Sequence, residues 1–133
     1  MGGQIGYCFD RKEPKPHGEG GLLVSHVPQK GERVLVVDDV ITDGASKRAA
    51  VELLRRQSGA EVVGMLVAVD RLEPTTTGGE AGGITALAQL EFDLGIPARA
   101  MVDIRQLVAN AGVGDDVRVA VDDYLSSVGS AVA

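Results

Sequence analysis

The stretch from Arg33 to Ser46, RVLVVDDVITDGAS, constrains the fold more than any other part of the chain. Its β-branched run, Val34 to Val37, is typical of a strand that is buried on both faces, as in a parallel sheet. Two adjacent carboxylates, Asp38 and Asp39, follow this run, and residues 42–46 then lead into a helical pattern. Backbone N–H groups and the helix dipole favour an anion at such a junction, so the sequence predicts an anion site there.

A ligand for this site needs hydroxyl groups to donate to the two carboxylates and a phosphate group for the helix start. A ribose 5-phosphate has both. The alternative is an ordinary βα turn with an acidic strand end, as in many doubly wound proteins, because short motifs also match by chance.

The chain has 133 residues, enough for one domain with a buried core. It contains no Trp, two Tyr and two Phe, so the core must consist mainly of Val, Leu, Ile and Ala. That composition suits helices packed on a sheet. The net charge of −6 argues against a nucleic-acid partner, because such binding depends on cations that neutralise phosphates. We therefore predict a single domain over residues 1–133.

Cys8 is the one cysteine of the chain, which excludes an internal disulfide. It lies in an apolar stretch, so we interpret it as a structural thiol. No apolar run is long enough to span a membrane, and the chain does not open on a signal-peptide pattern. We expect a cytoplasmic protein with no membrane partner.

Hydrophobic periodicity predicts alternating strands and helices along the chain. Strands are expected at 4–9, 22–27, 61–70 and 98–102, and helices at 44–58, 84–94, 103–111 and 115–128. In the first helix, six residues are expected to share the buried face: Ala45, Ala49, Ala50, Leu53, Leu54 and Gln57. Lys47 and Arg48 lie in its first turn, where cations oppose the dipole unless an anion binds. The predicted fold class is α/β, with a mostly parallel sheet flanked by helices.

Residues 10–21, DRKEPKPHGEGG, differ in kind from the segments on either side. The loop carries Arg11, Lys12, Lys15 and His17 among prolines and glycines. Such turn-forming residues suit a hinged lid, and lids commonly close over a charged site and exclude water. The alternative interpretation is a solvated charged loop.

Three segments, in order along the chain, resemble a known family. FDRKEPKPHGEGG resembles the catalytic loop of the orotate phosphoribosyltransferases, which reads close to RKE-x-K-x-HG-x-GG. VLVVDDVITDGAS is similar to the phosphoribosyl-pyrophosphate (PRPP) signature of the type I phosphoribosyltransferases. Residues 69–73, VDRLE, resemble the family segment after the next strand, whose arginine contacts the orotate carboxylate. The resemblance implies a type I phosphoribosyltransferase-like fold that is incomplete at the N-terminus, because the family's N-terminal portion has no counterpart here.

The resemblance also implies roles for individual residues. Asp38 and Asp39 would hold the ribose hydroxyls of PRPP, residues 42–46 would cradle its 5′-phosphate, and the lid cations would bind pyrophosphate, the leaving group. The implied PRPP-binding residues are Arg11, Lys12, Lys15, His17, Asp38, Asp39, Val40, Ile41, Thr42, Asp43, Gly44, Ala45 and Ser46. The implied catalytic residues are Lys12, Lys15, His17 and Asp39, and the implied orotate-binding residues are Thr42 and Arg71.

The implied reaction transfers ribose 5-phosphate from PRPP to orotate and gives orotidine 5′-monophosphate and pyrophosphate, in pyrimidine biosynthesis. The implied cofactor is Mg²⁺, held mainly by the pyrophosphate and the ribose hydroxyls and not by protein ligands. The implied assembly is a homodimer in which the lid of one subunit reaches the site of its partner.

Two other functions fit the same residues. One is another phosphoribosyltransferase, although purine-specific relatives carry an aspartate where this chain has Thr42. The other is a PRPP-binding regulator or an inactive truncated relative, which the missing N-terminal portion favours and the intact lid disfavours. Without that portion, one side of the sheet is expected to expose apolar surface. Asp43 departs from the family pattern, and its side chain is expected to point away from the phosphate loop.

Overall fold

The structure is a computed structural model that describes residues 5–11, 22–75 and 83–130. Within these residues the strands are β1 (Cys8–Asp10), β2 (Leu23–Ser25), β3 (Arg33–Ile41), β4 (Glu61–Asp70) and β5 (Ala98–Asp103). The helices are α1 (Ala45–Ser58), α2 (Ala86–Leu94), α3 (Ile104–Asn110) and α4 (Asp115–Ser127). Each predicted element is found, although β1 and β2 are shorter than expected, and the α/β fold class is confirmed.

The strands β3, β4 and β5 form a parallel sheet in that order, and β1 pairs with β2 in a separate antiparallel ladder. The register sets Ile41 opposite Asp70, and Asp70 opposite Asp103. The three parallel strands therefore end at the same edge. Open α/β sheets bind their ligands at this carboxyl edge, and the predicted anion site lies there.

The core lies between one face of the sheet and the helices α1 and α2. Val51 of α1, Val67 of β4 and Leu90 of α2 are fully buried in it. Each contributes roughly 1.5–3 kcal/mol, because its apolar surface is removed from water. The cluster is aliphatic, as the scarcity of aromatic side chains predicts.

The strand β3 is covered on one face only, so the prediction that it is buried on both faces is wrong. Val34 and Val36 pack against the core, whereas Leu35 is 53% exposed and Val37 is 67% exposed. On β5, Met101 is 71% exposed. Within the described residues, β4 is the one strand that pairs with β3. A β-branched run indicates that a segment favours strand structure. It does not reveal whether a second layer covers the strand.

The helix α1 buries a different set of residues from the one predicted. Leu54 is buried as expected, but Ala45 and Ala49 are exposed. Lys47 and Val51 lie on the buried face instead. The periodicity of the alanines suggested a face that turns out to be solvated, because alanine is compatible with either environment.

The helix ends follow local capping signals. Gly59 and Gly95 end α1 and α2 in left-handed conformations, and Asp103 forms a capping box with Gln106 at the start of α3. Across the described ranges, none of the helices is long and apolar enough to cross a membrane.

Candidate active site

The loop between β3 and α1 is where the sequence predicts a phosphate cradle. Gly44 adopts a left-handed conformation, with a φ of 73°, which turns the chain from the strand into the helix. Thr42 and Ser46 are exposed, so their hydroxyl groups are accessible to a ligand. The N-terminal residue of α1 has no side-chain cap. The loop thus presents hydroxyls and helix amides at the carboxyl edge of the sheet.

Asp43 does not point away from this loop, contrary to the expectation. Its Oδ1 atom accepts a hydrogen bond from the Ala45 N–H group at 3.0 Å. Its carbonyl oxygen accepts a bond from Arg48 Nη1 at 2.9 Å, while Arg48 Nη2 lies 2.7 Å from Asp93 Oδ2. The carboxylate is drawn inward because the first amides of a helix attract negative charge.

Asp38 is bound to α1 by Lys47, a residue that the sequence pattern did not identify as part of the site. Lys47 Nζ lies 2.7 Å from Asp38 Oδ2, and the Asp39 N–H group donates to Asp38 Oδ1 at 2.8 Å. Lys47 is only 9% exposed. Its ammonium group holds the pKa of Asp38 below the usual value, against the opposing effect of burial. The i, i+4, i+7 spacing of Lys47, Val51 and Leu54 was the sequence signal that could have placed this lysine on the buried face.

Asp39 is exposed, and its neighbour Asp38 is partly buried, with a side chain that is 40% exposed. Because side chains alternate along a strand, Asp39 leaves β3 on the side away from α1. Its Oδ1 atom accepts a hydrogen bond from the Val40 N–H group at 2.6 Å. The two carboxylates therefore differ, since Asp38 is paired within the fold and Asp39 faces solvent.

A third carboxylate, Asp70, lies at the end of β4. It is not among the site residues predicted from the sequence. It is 7% exposed, and burial raises its pKa. Its Oδ1 atom accepts a hydrogen bond from the Leu72 N–H group at 2.9 Å, and Leu72 has a positive φ of 56°. This bond fixes the turn that carries Arg71 out of the sheet. The sequence signal that could have identified Asp70 is its position directly before Arg71, the predicted orotate-binding residue.

Arg71 follows β4 and belongs to a hydrogen-bonded group that includes α4. Arg71 Nη2 lies 2.6 Å from Glu73 Oε1, and the Tyr124 hydroxyl donates to the same oxygen at 2.7 Å. That carboxylate raises the pKa of Tyr124. These side chains and apolar residues of α4 line a cavity of about 430 Å³. Sequence patterns do not predict a part for α4 in the site, because Tyr124 and Glu73 are 51 residues apart.

Arg11 lies near the start of the predicted lid at 10–21. Its N–H group donates to the Leu22 carbonyl oxygen at 2.8 Å, which joins the two ends of that segment beside the β1–β2 ladder. Lys12, Lys15 and His17 lie outside the described residues. Their contact with pyrophosphate stays a prediction.

Comparison with known proteins identifies the family. Residues 25–77 match the family model described as a phosphoribosyl transferase domain. An orotate phosphoribosyltransferase of Methylococcus capsulatus is 44% identical over 132 residues, which cover 98% of this chain and 58% of that protein. The chain belongs to the phosphoribosyltransferase family.

Further relatives of this chain agree. The orotate phosphoribosyltransferase of Bifidobacterium animalis subsp. lactis is 35% identical over 136 residues, 95% of this chain and 57% of that protein. The crystal structure of orotate phosphoribosyltransferase from Francisella tularensis has the same fold, with a TM-score of 0.66 over 95% of this chain and 57% of that one at 23% identity. The resemblance seen in the sequence is confirmed. The chain spans 57–58% of the length of these curated relatives.

Most of the described candidate residues gather at the carboxyl edge of β3. Asp39, Thr42 and Ser46 are exposed there, whereas Ile41 and Gly44 are buried. The exposed residues offer side chains to a ligand. The buried ones shape the loop and offer backbone groups.

Among the described residues, a metal ion finds no ready set of protein ligands. In the described ranges, no group of three or more His, Cys, Asp and Glu side chains is placed to hold one. The exposed carboxylate of Asp39 suits hydroxyl groups, or a cation that arrives with other oxygen ligands already bound.

Proposed function

We propose that this chain carries the PRPP-binding and orotate-binding residues of an orotate phosphoribosyltransferase. The enzyme would transfer ribose 5-phosphate from PRPP to orotate and release orotidine 5′-monophosphate and pyrophosphate, within pyrimidine biosynthesis. One observation carries the proposal: the exposed Asp39 adjoins the open loop 42–46, in a chain that is 44% identical to a protein of that name.

The ribose of PRPP and its 5′-phosphate are assigned to adjacent parts of the junction between β3 and α1. Asp38 and Asp39 would accept hydrogen bonds from the ribose hydroxyls, with Val40 and Ile41 completing the strand end beside them. The N–H groups of residues 42–46 and their exposed hydroxyls would donate to the 5′-phosphate. The dipole of α1 favours negative charge at that point.

Cleavage at C1′ develops positive charge on the ribose and negative charge on the departing pyrophosphate. Asp39 stands beside the sugar, where a carboxylate favours the cationic ribose. Arg11, Lys12, Lys15 and His17 are assigned to the pyrophosphate, because cations stabilise a leaving group that gains charge. Mg²⁺, bound with the pyrophosphate and the ribose hydroxyls, would neutralise further charge there.

Orotate is assigned to the space between the ends of β3 and β4. Thr42 would contact the pyrimidine ring, and Arg71 would pair with the orotate carboxylate. Arg71 is already held by Glu73 at 2.6 Å, so an incoming carboxylate must share or replace that contact. Orotate is an acidic heterocycle, and the proposal therefore needs no general base at position 42.

We further propose a single domain over residues 1–133 and a homodimer in which segment 10–21 of one copy completes the site of its partner. The exposed side chains of Leu35, Val37 and Met101 support association, since uncovered apolar patches commonly mark interaction surfaces. A cytoplasmic location is supported by the free thiol of Cys8, which suits a reducing compartment.

The test is the orotate-dependent loss of absorbance in the presence of PRPP and Mg²⁺, with PRPP binding followed by calorimetry. Asp39→Asn and Lys15→Ala should lower turnover by about 100-fold or more, because each removes a charge that stabilises the transition state. Lys30→Met is the control, since Lys30 lies before the start of β3, at the opposite edge of the sheet.

The two measurements separate the outcomes. PRPP binding without orotate-dependent turnover would contradict the enzymatic proposal. A chain that binds no PRPP would contradict the assignment of the site itself. Equal losses in Lys30→Met and in the test variants would show that the losses come from folding.

A further inference from the structure

We propose that Arg48 is a positioning residue that holds the peptide between Asp43 and Gly44 in the orientation that binds the 5′-phosphate of PRPP. The inference deepens the proposed function and rests on it. Arg48 acts through the main chain of the loop 42–46, and it connects that loop to α2, a helix that the sequence does not associate with the site.

The guanidinium group of Arg48 joins the loop to α2. Its Nη1 atom donates to the Asp43 carbonyl oxygen at 2.9 Å. Its Nε and Nη2 atoms donate to Asp93 Oδ2 at 3.0 and 2.7 Å. The donors of a guanidinium group lie in one rigid plane, so contacts that fix one edge also fix the direction of the other. The contacts with Asp93 therefore direct Arg48 toward the Asp43 carbonyl group.

Asp93 is itself held in place on α2. Gln89 lies one turn earlier in the same helix, and its Nε2 atom donates to Asp93 Oδ1 at 2.6 Å. The bonds from Gln89 and Arg48 hold the pKa of Asp93 below its usual value, so this carboxylate is ionised at neutral pH. The side chains of Arg48 and Asp93 are 32% and 31% exposed, and partial burial reduces the screening of a charged pair by water. The loop is thus attached to a fixed point on α2.

The bond to Asp43 sets the orientation of one peptide unit. In a planar trans peptide the C=O and N–H groups point in opposite directions, so the Gly44 N–H group points away from Arg48. Glycine accepts φ values of either sign, and the peptide before Gly44 could therefore also adopt the reverse orientation. That orientation would turn a carbonyl oxygen toward the phosphate in place of an N–H group. Arg48 stabilises the orientation in which the amide of Gly44 is presented to the phosphate.

A different role for Arg48 would be simple attraction, since a nearby cation favours a phosphate in any orientation of the peptide. The two roles give opposite expectations for Asp93→Ala. This variant keeps the charge of Arg48 and removes the carboxylate that compensates it, so attraction alone predicts tighter binding of PRPP. Positioning predicts binding that is weaker by about threefold to tenfold, because Arg48 is then no longer directed toward the loop.

The first test is PRPP affinity by calorimetry in the presence of Mg²⁺, with urea unfolding of the same proteins. Arg48→Met should weaken binding by about tenfold or more. Arg48→Lys should restore only part of the affinity, because an ammonium group lacks the planar set of donors. Arg55→Met is the matched control, since Arg55 lies about two turns further along α1 and donates to the Leu94 carbonyl oxygen at 3.2 Å. Arg55→Met should lower stability and leave the PRPP affinity unaltered.

A second readout needs no ligand and separates this inference from the proposed function. The Gly44 amide signal in nitrogen-15 spectra of the unliganded chain reports the orientation of its peptide. Arg48→Met and Asp93→Ala should shift or broaden this signal, because the peptide then samples both orientations, and Arg55→Met should not. A wild-type chain that binds no PRPP would overturn the proposed function, and the Gly44 signal would still decide whether Arg48 positions the peptide.

Two results would overturn the inference. One is an Asp93→Ala variant that binds PRPP as tightly as the wild type, or more tightly. The other is a Gly44 amide signal that is the same in Arg48→Met as in the wild type. If Arg48→Met fails to fold, Arg48→Lys and Asp93→Ala decide by the same two measurements.

Discussion

The carboxylate of Asp43 accepts a hydrogen bond from a helix amide that is proposed to bind the 5′-phosphate of PRPP. Its Oδ1 atom accepts the Ala45 N–H group at 3.0 Å, at the first residue of α1. A phosphate that enters this loop meets a like charge and finds one amide fewer. Asp43 is therefore a competitor within the chain, and full occupancy of the loop requires its side chain to turn outward.

Asp43→Ala should raise the affinity for PRPP and for inorganic phosphate by roughly threefold to tenfold, because the like charge disappears and an amide is freed. The free energy of unfolding should fall by about 0.5–2 kcal/mol, since that amide loses its acceptor. Calorimetry and urea unfolding measure the two effects. Asp43→Asn is the control, because it keeps the acceptor without the charge, and it should give a smaller gain. Equal affinities in all three proteins would place the phosphate elsewhere.

Asp70 and Asp38 should change stability with opposite pH dependence. Burial raises the pKa of Asp70, so ionisation of Asp70 costs stability as pH rises from the unfolded-state pKa through the folded one. Lys47 lowers the pKa of Asp38, so the stability that Asp38 contributes is present above its unfolded-state pKa and is lost as pH falls through the folded one.

Relative to the wild type, Asp70→Asn should therefore gain stability as pH rises from about 3 to 7, and Asp38→Asn should lose it over the same range. An asparagine at position 70 keeps an acceptor for the Leu72 N–H group, which preserves the turn. Urea unfolding at several pH values measures both profiles. Parallel profiles for the two variants would show that one of the environments is assigned wrongly.

At the level of elements, the helices differ in whether a side chain caps their first N–H groups. Thr85 caps α2 and Asp103 caps α3 with their side chains, whereas α1 begins at Gly44 without a side-chain cap. The helix α4 also begins without a side-chain cap, at Gly114. The open start of α1 matters because it lies at the candidate site, where the helix amides that Asp43 does not engage are available to a ligand. Gly44 also turns the chain where α1 meets α2, so this residue couples the loop to the packing of two helices.

Gly44→Ala should lower the free energy of unfolding by more than Gly112→Ala. Both glycines have positive φ, 73° and 69°, so a side chain at either position costs about 1–2 kcal/mol in backbone strain. A Cβ atom at Gly44 would also lie 3.3 Å from Leu90 Cδ1 and 3.2 Å from Arg48 Nη1, whereas nothing lies within 4 Å at Gly112. Urea unfolding gives both values. Equal losses of stability in the two variants would mean that the side chains of Leu90 and Arg48 move aside without lowering the free energy of unfolding.

For the molecule as a whole, the sheet has a second face that no layer covers within the described residues. Leu35, Val37 and Met101 are exposed there, and β3 pairs with β4 alone. The curated relatives are longer, since the chain spans 57–58% of their length. An uncovered apolar face beside an open strand edge promotes association with further polypeptide.

The double variant Val37→Thr with Met101→Gln should shift the chain toward monomers, because it removes apolar surface from this face. The free energy of unfolding should change by no more than about 0.5 kcal/mol, as expected for exposed positions. Sedimentation velocity at matched concentrations measures the association. Phe92→Gln is the control, since Phe92 is 81% exposed on α2. A wild-type chain that is already monomeric would contradict the prediction.

The sequence predicted what depends on neighbouring residues. The helices predicted at 84–94 and 115–128 are found at Ala86–Leu94 and Asp115–Ser127, because hydrophobic periodicity is a local signal. The missed features depend on contacts between distant segments. Lys47 is buried only because the strand before it supplies Asp38, and the exposure of Val37 depends on layers that its own segment does not specify. The lid cations and their roles were inferred from resemblance, and they lie outside the described residues.

The contact between Tyr124 and Glu73 gives this protein a built-in optical reporter. The chain has no tryptophan and two tyrosines, so Tyr7 and Tyr124 dominate its near-ultraviolet absorbance. The phenol of Tyr124 donates to the carboxylate that also holds Arg71. A ligand that draws Arg71 away changes the surroundings of that phenol. Occupancy of this pocket by a carboxylate ligand that does not itself absorb in the near ultraviolet can therefore be followed as a tyrosine difference spectrum, without attaching any dye.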